Sequence, residues 1–183
     1  MVVAVPHRRF KAEEVVNHMP AGVRWELVRG ELLIMSPAGA QHGQIAVRIA
    51  TLLDHYVRAE NLGRVYAAET GFLIGRGPDS LRAPDVAFLT TERAALADES
   101  FFEGAPDLAV EIVSPSEARH EVMDKARMWI DAGTRLVWVV WPKKQQVTVL
   151  VPGRDDATLG EAEALDGRDV VPGFSCEVSA IFE

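Results

Sequence analysis

The run Leu108–Val113, LAVEIV, is apolar at every position but one. Side chains alternate along a strand, so Glu111 shares a face with Ala109 and Val113, while Leu108, Val110 and Ile112 take the other. A strand apolar on both faces belongs in the middle of a sheet that is covered on both sides. The same run sets a problem. An ionised carboxylate in such a place is very costly unless it meets a cation, a hydrogen-bond donor or a proton. A second stretch, LRAPDVAFL from Leu81 to Leu89, repeats the oddity with Asp85 among apolar residues.

Around these strands the periodicity of the chain predicts the remaining elements. KAEEVVNHM reads as a short helix stopped by Pro20, and VRWELVRGELLIMSP as a hairpin turning at Arg29–Gly30. Ile45, Ile49, Leu52, Leu53 and Tyr56 recur at helical spacing, which predicts an amphipathic helix through QHGQIAVRIATLLDHYVRAE. RVYAAETGFLI, RAPDVAFLT, RLVWVVW and QQVTVLV read as strands, with GRGPDS as a turn. TERAALADES reads as a short helix capped by Thr90 or Thr91. SEARHEVMDKARMWIDAG is a helix closed by Gly133, and the tail after Ala157 offers short strand pieces. Strands and helices are mixed without strict βαβ repetition. The expected class is α/β (α+β): a mixed parallel and antiparallel sheet with a long helix on at least one face. With no linker, repeat or low-complexity tract, residues 1–183 are read as one domain.

Asp85 and Glu111 fall on different strands. If those strands are neighbours, the two acids meet on one face, and at ~4 Å they repel by about 4 kcal/mol at an effective dielectric near 20. A divalent cation or a shared proton relieves that repulsion, and so does separate pairing of each acid with an arginine or with backbone donors. Asp107 repeats the APD motif but lies four residues from Glu111, roughly 13 Å along a strand, too far to share an ion with it. Lys125 stands three residues after Val122 and four before Trp129. It therefore borders the inward helix face, where it either snorkels to water or carries its ammonium to the two acids.

Other chemistry is thinly represented. No Walker-type or dinucleotide glycine motif occurs. The single Cys176 forms no internal disulfide, which fits a reducing cytoplasm. The N-terminal segment lacks the charge order and apolar length of a signal peptide, and no stretch approaches the ~18 apolar residues of a membrane span. A net charge of −8 argues against a protein that coats nucleic acid, but not against an enzyme that meets phosphates at one local site.

Taken in order, WELVRGELLIMSPAGAQHGQI, RAPDVAFL, PDLAVEIVSPS, DKARMWIDAG, VWVVWP and VPGFSCEVSAIF resemble the Uma2 family of restriction-endonuclease-like nucleases, within the PD-(D/E)XK superfamily. The resemblance runs from about Arg24 to Phe182. It implies a mixed sheet flanked by helices, with a small N-terminal hairpin, C-terminal strands and a metal site on the central strands. Asp85 becomes the motif aspartate and Glu111 the motif acid. The superfamily's lysine normally stands two residues after that acid, where this chain has Val113; Lys125 on the following helix occupies the family's alternative place. Glu26, Glu31 and His42 match polar positions of the N-terminal motif. His42 also extends the Ile45/Ile49 stripe, so it is either a buried, hydrogen-bonded histidine or a functional one. Ser114 ends the Glu111 strand, where helix capping is its expected job. Family members often carry Tyr where this chain has Trp129, and an acid where it has Trp141.

The expected activity is endonucleolytic hydrolysis of nucleic acid, DNA first. Mg²⁺ or Mn²⁺ would be held by Asp85, Glu111 and the Ile112 carbonyl, with Lys125 near the reacting phosphate. The expected partners are nucleic acid and a second copy of the chain, as nucleases that cut both strands often pair. Two alternatives compete: a nuclease fold that binds nucleic acid or protein without cutting, and a self-associating structural protein with exposed strands around VWVVWPKKQQVTVLV.

Overall fold

Strand alternation and helix periodicity place most elements where the sequence predicts them. The computed structural model describes residues 2–4, 8–20, 22–96 and 100–183. Strand β1 (Val2–Ala4) and helix α1 (Ala12–His18) precede the hairpin of β2 (Trp25–Val28) and β3 (Glu31–Met35). Its turn residues Arg29 and Gly30 have φ of 50° and 82°. That is the left-handed pair a type I′ hairpin turn needs, and Gly30 adopts it without a Cβ penalty. The long helix α2 (Ala40–Ala59) leads into β4 (Gly63–Ala67), β5 (Phe72–Gly75), β6 (Ser80–Arg82) and β7 (Val86–Thr90). Helix α3 (Thr91–Ala94), β8 (Phe102–Glu103) and β9 (Leu108–Ile112) follow, then α4 (Arg119–Asp131) and β10 (Leu136–Trp141). Strands β11 (Gln146–Leu150), β12 (Ala157–Leu159), β13 (Ala164–Asp166) and β14 (Ser175–Glu177) close the chain.

The main sheet has the order β12-β11-β10-β9-β7-β4. Only the β9–β10 pair in it is parallel. Every residue of β9 and β10 is buried. On one face Leu108, Val110, Ile112, Leu136, Trp138 and Val140 meet Ile45, Ile49, Leu53 and Val57 of α2. On the other, Ala109, Val137, Val139 and Trp141 meet Val122, Met123, Ala126 and Trp129 of α4. Burying this much apolar side chain at roughly 25 cal/mol per Å² is the main force that holds the layers together. The strands VWVVW and QVTVL are therefore central and covered, which removes the structural basis for the self-associating reading.

A second sheet, ordered β1-β3-β2-β6-β5-β8, packs Leu27, Leu32, Leu73 and Leu81 against Ala12 and Val15 of α1. Helix α4 lies between the two sheets: Trp129 packs edge-on against Phe72 of the second sheet while facing the main one. The N-terminus of α1 is capped from far along the chain. The Ala12 N–H donates to Asp79 Oδ2 at 2.9 Å and the Gly77 N–H to Oδ1 at 3.3 Å. Replacing Asp79 by Ala is expected to cost about 1–2 kcal/mol, read from the denaturant midpoint. The Ala12 hydrogen bond outweighs burial and holds the Asp79 carboxyl below its ordinary 3.8. Its contribution is thus complete above that value and is lost as pH falls through the lowered pKa.

Four expectations need correction. RVYAAETGFLI is two strands in different sheets, because the chain turns at Glu69, whose φ is 75°. In RAPDVAFLT the strand starts only at Val86: Arg82 ends β6, and Pro84, which has no N–H to donate, separates the two. The helix after Thr90 stops at Ala94 and Thr90 makes no side-chain cap bond; residues 97–99 of TERAALADES lie outside the described residues. Ser114 does not cap the next helix. That role falls to Ala118, whose N–H donates to Glu121 Oε2 at 3.1 Å.

Candidate active site

The alternation of β9 that buries Leu108, Val110 and Ile112 against α2 turns Glu111 toward α4. Helical spacing then brings two α4 side chains to it. The Trp129 Nε1–H donates to Glu111 Oε1 at 2.6 Å, and Lys125 Nζ lies 2.8 Å from Oε2. The same ammonium lies 3.5 Å from Oε1 of Glu26, on β2 of the other sheet. Lys125 does not snorkel away from the acids; it bridges two sheets through two buried carboxylates. Glu26 is completed by Arg82, whose Nε and Nη2 donate to Oε2 at 2.9 and 2.7 Å.

Asp85 grips β9 on either side of Glu111. Its N–H donates to the Val110 carbonyl at 3.0 Å, and its Oδ2 accepts from the Ile112 N–H at 2.8 Å. The same oxygen lies 3.1 Å from His42 Nε2, one turn into α2. His42 is thus a hydrogen-bonded neighbour of Asp85. Among the described residues neither Asp85 nor Glu111 is held by a guanidinium, whereas Glu26 is. The second APD motif is structural: Asp107 accepts from Arg93 Nη1 at 3.0 Å and from the Thr90 N–H at 2.9 Å.

The charges respond to burial and to one another. Burial pushes the Glu111 carboxyl up, the Asp85 and Glu26 charges add to this, and against the pull of Lys125 it reaches about 7. Burial also pushes Asp85 up, but the His42 hydrogen bond and the Lys125 charge together hold it below 3.8. Glu26 follows the same pattern, with Lys125 and Arg82 outweighing its burial. The Asp85 hydrogen bond raises His42 above its ordinary 6.5. Lys125 is raised: burial opposes its charge, but Glu111 and Glu26 overcome that. Asp85, Glu26 and Glu111 thus share Lys125, Arg82 and, when protonated, His42, and Glu111 is the carboxyl that further positive charge would keep ionised.

The donor chemistry suits a hard divalent ion. Asp85, Glu111 and the Ile112 carbonyl offer hard oxygen donors of the kind taken by Mg²⁺, which commonly rests on one or two carboxylates with waters and substrate phosphate. Among the described residues no group of three or more His, Cys, Asp or Glu side chains is arranged to hold a metal ion. The remaining expected residues lie outside this cluster. Glu31 starts β3, exposed, beside the hairpin turn. The Ser114 N–H donates to Glu117 Oε2 at 2.6 Å and shapes the loop before α4.

Two members escape the sequence reading. Trp129 reads as core, and only its place four residues after Lys125 hints that it shares the site. Arg82 carries no signal. Replacing Trp129 by Phe keeps most of the ring packing but removes the donor to Glu111. It is expected to destabilise the protein by about 1.5–3 kcal/mol, the worth of a hydrogen bond to a buried charged group, measured by denaturant unfolding.

The sequence pattern of the Uma2 family, described as "Putative restriction endonuclease", matches residues 12–179. The chain belongs to the Uma2 family. A solved structure shares its fold: "Crystal structure of a putative nuclease belonging to DUF820 from Anabaena variabilis ATCC 29413". It superimposes with a TM-score of 0.81 at 17% identity, over 94% of this chain and 97% of that one. No curated protein matches the chain. The restriction-endonuclease-like architecture expected of a Uma2 member is therefore the one the chain adopts: mixed sheets flanked by helices.

Proposed function

We propose that this Uma2 protein is a Mg²⁺- or Mn²⁺-dependent endonuclease that hydrolyses phosphodiester bonds in DNA and works as a homodimer. The observation that carries the reading is the approach of Lys125 Nζ to 2.8 Å from Glu111 Oε2, on the strand that Asp85 grips on both sides of that glutamate. This is the acid–acid–lysine set expected of the family, with the lysine supplied by α4 instead of by position 113.

Asp85, Glu111 and the Ile112 carbonyl are the groups proposed to hold the ion. When bound, a divalent ion supplies Lewis acidity to a phosphoryl oxygen and makes water easier to deprotonate. The chain's own residues supply position and charge. Trp129 fixes the plane of Glu111 through its Nε1–H, and the Ile112 N–H and His42 together fix Asp85. Lys125, kept protonated by Glu111 and Glu26, offers an ammonium where negative charge builds on the phosphate being cleaved. Glu26 and Arg82 hold that ammonium from the far side.

A second reading, a nuclease fold that holds nucleic acid or a protein without cutting it, is favoured by one feature. Both Glu111 oxygens already have donors. Supercoiled plasmid incubated with the purified protein and Mg²⁺, Mn²⁺ or EDTA separates the two. Nicking that needs the divalent ion supports the endonuclease, and binding without nicking supports the other. RNA of the same sequence tests the choice of DNA, and light scattering tests the dimer.

A further inference from the structure

A cavity of about 340 Å³ opens beside His42 and reaches Val113 and Ser114, immediately past the Glu111 strand. Its far wall is the short 3-10 turn Pro142–Lys144 that follows β10, and its roof is the start of α4. Three cations line it: Arg119, Lys143 and Lys144. All three are exposed, and none forms an ion pair among the described residues. Arg119 is held in place by stacking, its guanidinium carbon 4.7 Å from the centre of the Trp141 ring. The one carboxylate in the lining, Glu117, accepts from the Ser114 N–H and offsets only part of that positive charge.

In a chain of net charge −8, an excess of positive charge gathered around one cavity suits a polyanion. Its position selects which one. His42 belongs to the cavity wall and lies 3.1 Å from Asp85, so the groove borders the acid–lysine site. We infer that this groove holds the phosphodiester backbone of the DNA strand being cut, Arg119, Lys143 and Lys144 each taking a phosphate on one side of the scissile bond. This rests on the reading of nucleic acid as substrate. It adds where the strand runs, and it gives a protein of acidic overall charge a local means to hold it.

The test is binding of a short fluorescein-labelled duplex in EDTA, followed by anisotropy across a salt series, alongside plasmid nicking in Mn²⁺. Each phosphate neutralised contributes about 0.9 to the slope of log K against log salt. The pair Lys143→Ala/Lys144→Ala is expected to weaken binding roughly tenfold and to lower that slope by nearly two. Arg64→Ala/Arg154→Ala removes two charges elsewhere and is expected to leave the slope unchanged. Equal loss in both double variants would mean a general charge effect and overturn the groove. So would an unaltered slope in the lysine pair, even if wild-type protein nicks plasmid. Conversely, a lowered slope in a protein that never nicks supports the groove and removes the nuclease. Absence of any wild-type binding at low salt overturns both.

Discussion

Replacing Asp85 by Asn is expected to lower Mn²⁺-dependent nicking by about 10³-fold or more while leaving the fold intact. The substitution is nearly isosteric, and the Asn carbonyl can still accept the Ile112 N–H that Asp85 Oδ2 holds at 2.8 Å. What it removes is a full negative charge from the oxygen set proposed to hold the ion. Lewis-acid stabilisation of the phosphoryl group is worth several kcal/mol, and each 1.36 kcal/mol is tenfold in rate, so loss of ~4 kcal/mol gives the stated effect. The readout is the nicking rate of supercoiled plasmid, with near-unchanged circular dichroism as the control for folding. Undiminished nicking by the folded variant would eliminate Asp85 from the mechanism.

The second large effect is on stability. Lys125→Met removes the ammonium that two buried carboxylates share, Glu111 at 2.8 Å and Glu26 at 3.5 Å. Glu26 keeps Arg82, but Glu111 is left with only the Trp129 N–H. At a pH above the Glu111 pKa, breaking a buried ion pair by removing one partner costs about 3–5 kcal/mol, because Glu111 must either stay charged without its partner or take up a proton. For a chain of this size that is a fall in Tm of roughly 6–20 °C. Adding Glu111→Gln should recover much of the loss, since removing both partners is far less harmful than removing one. Nicking should not return in the double variant, because Glu111 is itself one of the groups proposed to hold the ion. If Lys125→Met unfolds at the wild-type temperature, the ammonium is not buried between the two sheets.

The pH dependence has a definite sign. Burial lifts Glu111 from its ordinary 4.5 to about 7 in the folded protein. Between those values the folded state binds the proton more tightly than the unfolded chain does. This group therefore favours folding fully below 4.5, and that contribution disappears as pH rises to 7. In the metal-free protein, Glu111→Gln should flatten the decline of thermal stability over that window. A wild-type stability rising steeply from pH 5 to 7 would contradict the assignment.

Local pattern was enough for much of this. Alternation in LAVEIV and RLVWVVW announced strands covered on both faces, and the Ile45/Ile49/Leu53 spacing announced the helix that covers one of them. An acid placed against that pattern, as Glu111 is, stands out because burial of an ion demands a partner, and the helical position of Lys125 made it a candidate. Glu111 was legible as an anomaly, but the full list of its partners was not. Lys125 also answers to Glu26, Trp129 donates through a ring that reads as plain core, and Arg82 carried no signal at all.

The sequence by itself determined most of the strands and helices and which charges sit among apolar neighbours, because both follow from spacing within a few residues. Only the tertiary structure decided that the second APD motif is locked to Arg93, and that RVYAAETGFLI divides between two sheets. It alone also set α4 between those sheets. These outcomes depend on how strands distant along the chain pair and pack, and such contacts leave no period in the chain for spacing to report. The ion pairs joining Glu26 to Arg82 and to Lys125 span the gap between segments that only folding brings together.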